Sequence, residues 1–403
     1  MSDIQRLRAL LESGALLHPV SDAISIVDFA NALHSVMGVP DVPAPLGERA
    51  AQIRGLIGEP EHLVMALADG FGMNFVEALD HDSFIRRHIA TEMRTVFPST
   101  TPIVLTTLAT GHWPATHSVI GWFQRLREID AVSTIIAYQR TADKKALSQL
   151  GVRAETAFPV PSRMGKSDKD ALHFMPEHIV ATEYSNYWTG YIKQHGYDAD
   201  HPQQAIEMAI QAVRKSSRPT SVYIYLPQVD SAAHEHGTWH AATMQTARVV
   251  DRLLATLADA LPSNARLVVT ADHGHLDVPP DRTHVIEKSD ELLKLCDDPF
   301  TGDQRAIYAD VSDANMDAFR TAIHERFGGD FLVLTAQEVE ECGLLGAAPL
   351  ADETRRRMRK ALVLSTGDAV LDYRATLDDS RFPLLSHHGG LTPAEIRVPL
   401  VLA

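Results

Sequence analysis

The chain reads as an α/β protein with a doubly wound, mostly parallel sheet flanked by helices. Two observations predict this. Four short apolar runs are continuous rather than alternating: His62 to Ala68 (HLVMALA), Ala131 to Tyr138 (AVSTIIAY), Ser221 to Leu226 (SVYIYL) and Ala265 to Thr270 (ARLVVT). A strand covered on both faces has this character. Helical patterns, Pro202 to Lys215 and Thr243 to Leu261, separate them, and strands alternating with helices build a parallel sheet. Ligands in such sheets bind beyond the carboxyl ends of the strands.

Taken in order, residues 1 to 58 are a helical lead-in. Its first part, Ile4 to Leu17, sets Arg6, Arg8 and Glu12 among leucines at helical spacing. That is an amphipathic helix, not a signal-peptide core. The run His62 to Ala68 ends at Asp69-Gly70. In Phe97 to Gly111 (FPSTTPIVLTTLATG), Pro102 suits the first helical position, which places Thr101 at the N-cap and Gly111 just past the C-terminus. Pro279-Pro280 marks a break in composition. Beyond it come a strand-like Arg305 to Val311, a helix from Asp313 to Phe327, a strand Phe331 to Thr335 and a helix from Ala336, which read as a small α+β cap. The core resumes at Ser386 and closes on an apolar strand, Val398 to Leu402. The expected organisation is therefore 1–280 for the first part of the core, 281–380 for the cap insertion and 381–403 for the return to the core.

Composition narrows the function classes. The 403 residues are 45% apolar and carry a formal charge of −15, which argues against nonspecific binding to nucleic acid or membrane surfaces. Cys296 and Cys342 lie far apart with no C-x-x-C spacing, so neither a disulfide framework nor a cysteine zinc site is read. No run approaches the ~18 apolar residues of a membrane-spanning helix. A cytoplasmic protein acting on a small molecule is expected, with a homodimer left open.

Five pieces of the chain carry candidate chemistry: Asp69-Gly70, Thr100-Thr101-Pro102, Asp230-x-x-x-His234, Asp272-His273-Gly274 and His387-His388-Gly389-Gly390. Each has a bland alternative. Asp69 could cap the next helix, Thr before Pro is a common helix start, Asp272 could be a turn residue, and a lone D-x-x-x-H is weak. Yet Asp230 and His234 four apart share one helix face, and Gly274 permits a turn that lets Asp272 and His273 reach one ion. One histidine of the His387-His388 pair ligates, and the other supports it. Together they offer three Asp, three His and a Thr, the complement of two divalent cations around a hydroxyl nucleophile.

With FPSTTP…TGHWPATHSVIGW, PQVDSAAHEHG, TADHGHLDVP and HHGGLTPAE in this order, the chain resembles the type I phosphodiesterase / nucleotide pyrophosphatase family of the alkaline phosphatase superfamily, over about 62–281 and 386–403. The resemblance implies that Asp69, Thr101, Asp272 and His273 hold one metal, and that Asp230, His234 and His388 hold the other. It also implies that Thr101 rather than Thr100 is the nucleophile, through a phosphothreonine. Zinc is the metal favoured by three imidazoles, with manganese as the alternative. One departure stands out: where eukaryotic nucleotide pyrophosphatases carry an Asn contacting the phosphoryl oxygen, this chain has Trp122.

Trp122 and Trp113 are expected to line the substrate site, and Arg125 is the nearest cation that could meet a phosphate. The other readings are a phosphomonoesterase, phosphomutase or phosphonate hydrolase on the same metal core, and, from a different class, an inactive regulatory binding protein. A sulfatase is disfavoured, since oxidising the secondary alcohol of Thr101 gives a ketone rather than the aldehyde those enzymes use.

Overall fold

The computed structural model describes residues 1–373 and 384–403. A central seven-stranded sheet runs in the order Ile89–Arg94, Arg397–Leu402, Ala265–Thr270, His62–Ala68, Thr220–Leu226, Asp170–Pro176, Gln194–Tyr197. Its pairings are parallel except the two made by Arg397–Leu402, which is antiparallel to both neighbours. The strand His62–Ala68 sits in the middle and is buried at every position, which is why its sequence shows no alternation. The register aligns Ala68 with Leu226 and Leu67 with Thr270. Three adjacent strands thus end at one level, and Asp69, Asp230 and Asp272 all follow that level in the chain.

A second seven-stranded sheet, antiparallel throughout, runs Phe331–Thr335, Ala361–Ser365, Ala306–Asp310, Asp298–Asp303, Phe123–Leu126, Ala131–Thr134, Gln139–Arg140. Here the structure corrects the sequence reading. Of the run AVSTIIAY, Ala131–Thr134 pairs in this sheet, not the central one, and Ile135 to Tyr138 form a turn. An apolar run reports burial but not which sheet buries it. The cap sheet is accordingly assembled from 123–140 as well as from the segment after residue 281. The first helix, Asp3–Glu12, also packs on the cap: Leu7 shares a core with Tyr308, Leu332 and Leu334, and Asp3 accepts the Val333 N–H at 2.9 Å. The expected boundary at 380/381 lies outside the described residues.

The central strands that sequence did not pick out, Ile89–Arg94, Asp170–Pro176 and Gln194–Tyr197, are shielded less completely. Two of them are sheet edges, where polar residues are tolerated and the apolar signature fades.

Cap and core meet through a buried ion pair. Arg305 donates from Nε at 2.6 Å and Nη2 at 2.9 Å to the Glu395 carboxylate, and both side chains are wholly buried. Arg305 also donates to the carbonyls of Gly367 and Ala369, while Glu395 accepts the Gly390 N–H at 2.7 Å. No helix among the described residues is long and apolar enough to cross a membrane.

Candidate active site

At the carboxyl edge of the central sheet the five sequence pieces converge. Asp69 leaves the central strand and is followed by Gly70 in the left-handed region, with φ +71°. Asp272 and His273 follow the strand Ala265–Thr270. Asp230 and His234 lie one turn apart on the helix Gln228–His236. Thr101 is the first residue of the helix Thr101–Thr110, with Thr100 extended before it. The cap thus falls one residue earlier than the sequence suggested, within the usual uncertainty of a helix boundary. Neither threonine caps the helix through its hydroxyl. Thr101 Oγ1 instead lies 3.3 Å from His273 Nε2.

Three candidate ligand groups come together, and one of them, Asp230, His273 and His275, overlaps the other two. Asp69, Asp272 and His273 bring their ligating atoms within 4.8 Å of one another, as do Asp230, His234 and His388. In the first group, His273 Nε2 is 3.5 Å from Asp69 Oδ1 and 3.4 Å from Asp272 Oδ2. Both of those oxygens are buried and accept no hydrogen bond. A buried carboxylate oxygen left unpaired is costly, and a cation between them answers that cost. In the second group, Asp230 Oδ1 is 3.3 Å from His234 Nε2 and 3.8 Å from His388 Nε2.

The three histidines turn Nε2 toward the site. His234 Nδ1 meets the Ser386 carbonyl at 2.8 Å, His273 Nδ1 the Gly274 carbonyl at 3.1 Å, and His388 Nδ1 the Ser99 carbonyl at 3.0 Å. A carbonyl only accepts, so each Nδ1 carries the proton and each Nε2 presents a lone pair. The rings of His273 and His388 stack at 3.6 Å.

Electrostatics agree with a cation site. Burial, then the neighbouring Asp272 and Asp230, push the Asp69 carboxyl well above its ordinary range. Burial alone would raise Asp230 too, but His234 and His275 hold it well below that range. His388 is driven well below its ordinary value, first by burial and then by His273, His234 and His275, which favours its neutral form.

A cavity of about 480 Å³ opens over the two groups. Trp122, Phe123, Ile136 and Tyr225 give it apolar walls, and Asp303 and Gln304 reach in from the cap. No Lys or Arg lines it among the described residues. Trp122 is therefore brought to the site. Trp113 and Arg125 are not: Trp113 packs against Gly346, and Arg125 is spent on Asp130 at 2.7 Å and Asp298 at 3.1 Å. His387 lines the cavity wall but stands outside both ligand groups.

Several residues at the site were missed in the sequence. The Tyr225 hydroxyl donates to Asp69 Oδ2. The carbonyls of Ser386 and Ser99 orient His234 and His388. His275 sits beside Asp230, and it was visible as the fourth residue of Asp272-His273-Gly274-His275. Asp303 and Gln304 carried no signal, because the cap's approach to the core is not written in local pattern.

The profile of the type I phosphodiesterase / nucleotide pyrophosphatase family matches residues 63–333. The chain belongs to this family. With the phosphodiesterase / nucleotide pyrophosphatase family it joins the hydrolases of phosphoester bonds, a metal-dependent group. No curated protein matches the chain. Among solved structures, murine ectonucleotide pyrophosphatase / phosphodiesterase 5 is similar with a TM-score of 0.61 and 15% identity, over 84% of this chain and 87% of that one. The same murine protein has been solved in an inactive threonine-to-alanine form in complex with AMP. Phosphonoacetate hydrolase from Sinorhizobium meliloti, solved in complex with phosphonoformate, is similar with a TM-score of 0.57 and 18% identity, over 85% of this chain and 90% of that one. At such identities the likeness is one of fold.

Proposed function

We propose that this family member is a phosphodiesterase that uses two zinc ions and a threonine nucleophile, Thr101, through a phosphothreonine intermediate. One observation carries the reading. The unpaired Asp69 Oδ1 and Asp272 Oδ2 converge on His273 Nε2 directly beside Thr101 Oγ1. Asp69, Thr101, Asp272 and His273 would hold one cation, and Asp230, His234 and His388 the other. Two such cations supply Lewis-acid charge for the nucleophile and for the leaving oxygen. Three imidazoles favour zinc, and the carboxylates leave manganese open.

The chain's own groups define the rest. Thr101 stands at the start of a ten-residue helix, whose free N–H groups and dipole favour a phosphoryl group at that end. Its Oγ1 gives up the hydroxyl proton and bonds phosphorus as the bond to the leaving oxygen breaks, and the leaving oxygen departs with a proton. Water then attacks the phosphothreonine, its oxygen joining phosphorus as the bond from phosphorus to Oγ1 breaks, with one water proton returning to Thr101. Trp122, Phe123 and Ile136 offer an apolar surface to the leaving group.

A diester or phosphoanhydride is the favoured substrate class. A monoester brings a second negative charge, and no described cationic side chain lines the cavity to meet it. This weighs against the phosphomonoesterase and phosphomutase readings. A phosphonate substrate is the second reading, supported by the resemblance to a phosphonoacetate hydrolase.

The test is a hydrolysis panel with added zinc or manganese: bis-p-nitrophenyl phosphate, p-nitrophenyl phosphate, a nucleotide-sugar, a phosphonate and a sulfate ester. The expected result is the highest kcat/KM on a diester or anhydride, lost in Thr101→Ala. A preference for the monoester or sulfate, or full activity in Thr101→Ala, would overturn the reading.

A further inference from the structure

We propose that His275 is a positioning residue for the second ligand group, holding the Asp230 carboxylate in its ligating orientation with Ser386 behind it. The proposal rests on the two-metal reading and deepens it.

His275 is wholly buried. Its Nε2 lies 3.0 Å from Asp230 Oδ1, and its Nδ1 lies 3.0 Å from Ser386 Oγ. An ionised carboxylate only accepts, so Nε2 carries the proton and Nδ1 takes one from the serine hydroxyl. This tautomer is the reverse of that in His234, His273 and His388. Those three turn a lone pair into the site, whereas His275 turns an N–H. It is therefore built to orient an anion, although it stands within reach of Asp230 and His273 as a possible ligand.

Two further features support this role. Ser386 acts on both sides, since its hydroxyl donates to His275 and its carbonyl accepts from His234. One residue thus fixes a ligand histidine and the group that holds the ligand carboxylate. Gly70 makes room for the arrangement. A Cβ there would lie 2.7 Å from His275 Nε2 and 2.9 Å from the Asp230 Cα. The Asn74 side chain donates to the His275 carbonyl at 2.8 Å and anchors its backbone.

The experiment is a zinc titration of metal-stripped protein against a chromophoric chelator, comparing wild type with His275→Leu, His275→Gln and Ser386→Ala, each checked for folding by circular dichroism. In wild type, two sites are expected. In His275→Leu, the first should be unchanged and the second weakened by about 10–100-fold, the usual effect of losing an outer-shell partner. His275→Gln places an amide donor near the Nε2 position and should recover most of that loss. Ser386→Ala should weaken the second site by a smaller factor.

A wild type that binds no zinc would sink the metal reading itself. Two wild-type sites with an unchanged second site in His275→Leu would overturn the positioning role alone. Equal losses in the Leu and Gln variants, with Ser386→Ala silent, would show direct ligation and also overturn it. Should His275→Leu fail to fold, Ser386→Ala decides: an unchanged second site there overturns the proposal.

Discussion

His388 Nδ1 donates to the Ser99 carbonyl across 3.0 Å, joining two chain segments 289 residues apart. Ser99 tightens the joint with its side chain: its hydroxyl donates to the Gly390 carbonyl at 2.8 Å and accepts the Gly389 N–H at 3.2 Å. The turn that delivers Thr101 and the loop that delivers His388 are thereby one unit. Ser99→Ala leaves a buried carbonyl and a buried N–H without partners. It should cost about 1–3 kcal/mol, read as a lower denaturation midpoint, and should lower kcat as the loop loosens.

Thr101 and Thr100 separate by role. Thr101→Ala should reduce kcat on the order of 10³-fold or more, as loss of a covalent nucleophile does. Neither hydroxyl caps the helix, so the stability of both Ala variants should stay close to wild type. Thr100→Ala should retain most activity. Steady-state kinetics with matched thermal melts check this, and the reverse pattern would place the nucleophile one residue earlier.

The sequence exposed the candidate metal-binding residues because each piece sits at a strand end or a helix start, where local rules apply. Asp69, Asp230 and Asp272 follow buried strands whose apolar runs are continuous, and the fold brings these three together with Thr101, His234, His273 and His388. The partners of those residues were hidden. Tyr225 reads as one more residue of a buried strand, and Ser99 and Ser386 act through contacts between distant segments; His275 stood in view beside His273, but its contact with Asp230 did not. The cap was half legible. Arg305 to Val311 and Phe331 to Thr335 were visible as its strands, Asp298–Asp303, Ala361–Ser365 and Phe123–Leu126 were not singled out, and Ala131–Thr134 looked like a central strand because burial carries no address. Arg125 was singled out for its proximity in sequence, but its side chain is held by Asp130 and Asp298.

The Arg305–Glu395 pair couples cap to core with neither side chain exposed. Removing one partner strands a buried charge. Arg305→Met should cost about 3–5 kcal/mol. The double variant Arg305→Met with Glu395→Leu should cost less than the two single changes combined. A double-mutant cycle by chemical denaturation measures the coupling, and additive effects would refute it.

Metal-stripped protein should carry an electrostatic strain at Asp69. Burial and two neighbouring carboxylates raise its folded pKa well above the unfolded value of about 3.8. The folded state therefore holds the proton more tightly than the unfolded state does. Stability from this group falls as pH rises above the ordinary carboxylate range, until the raised folded pKa is passed. Asp69→Asn cannot ionise. With chelator present, it should melt higher than wild type at neutral pH, and the difference should shrink toward pH 4. Thermal melts across pH read this directly, and a pH-independent difference would contradict it.

Metal content tests the central claim most directly. Elemental analysis of protein loaded with zinc and freed of excess should find about two ions per chain. Asp272→Ala and His234→Ala should each lower that to about one, because each removes a ligand from a different group. A wild-type chain that retains no metal, and whose hydrolase activity no divalent ion raises, would contradict it.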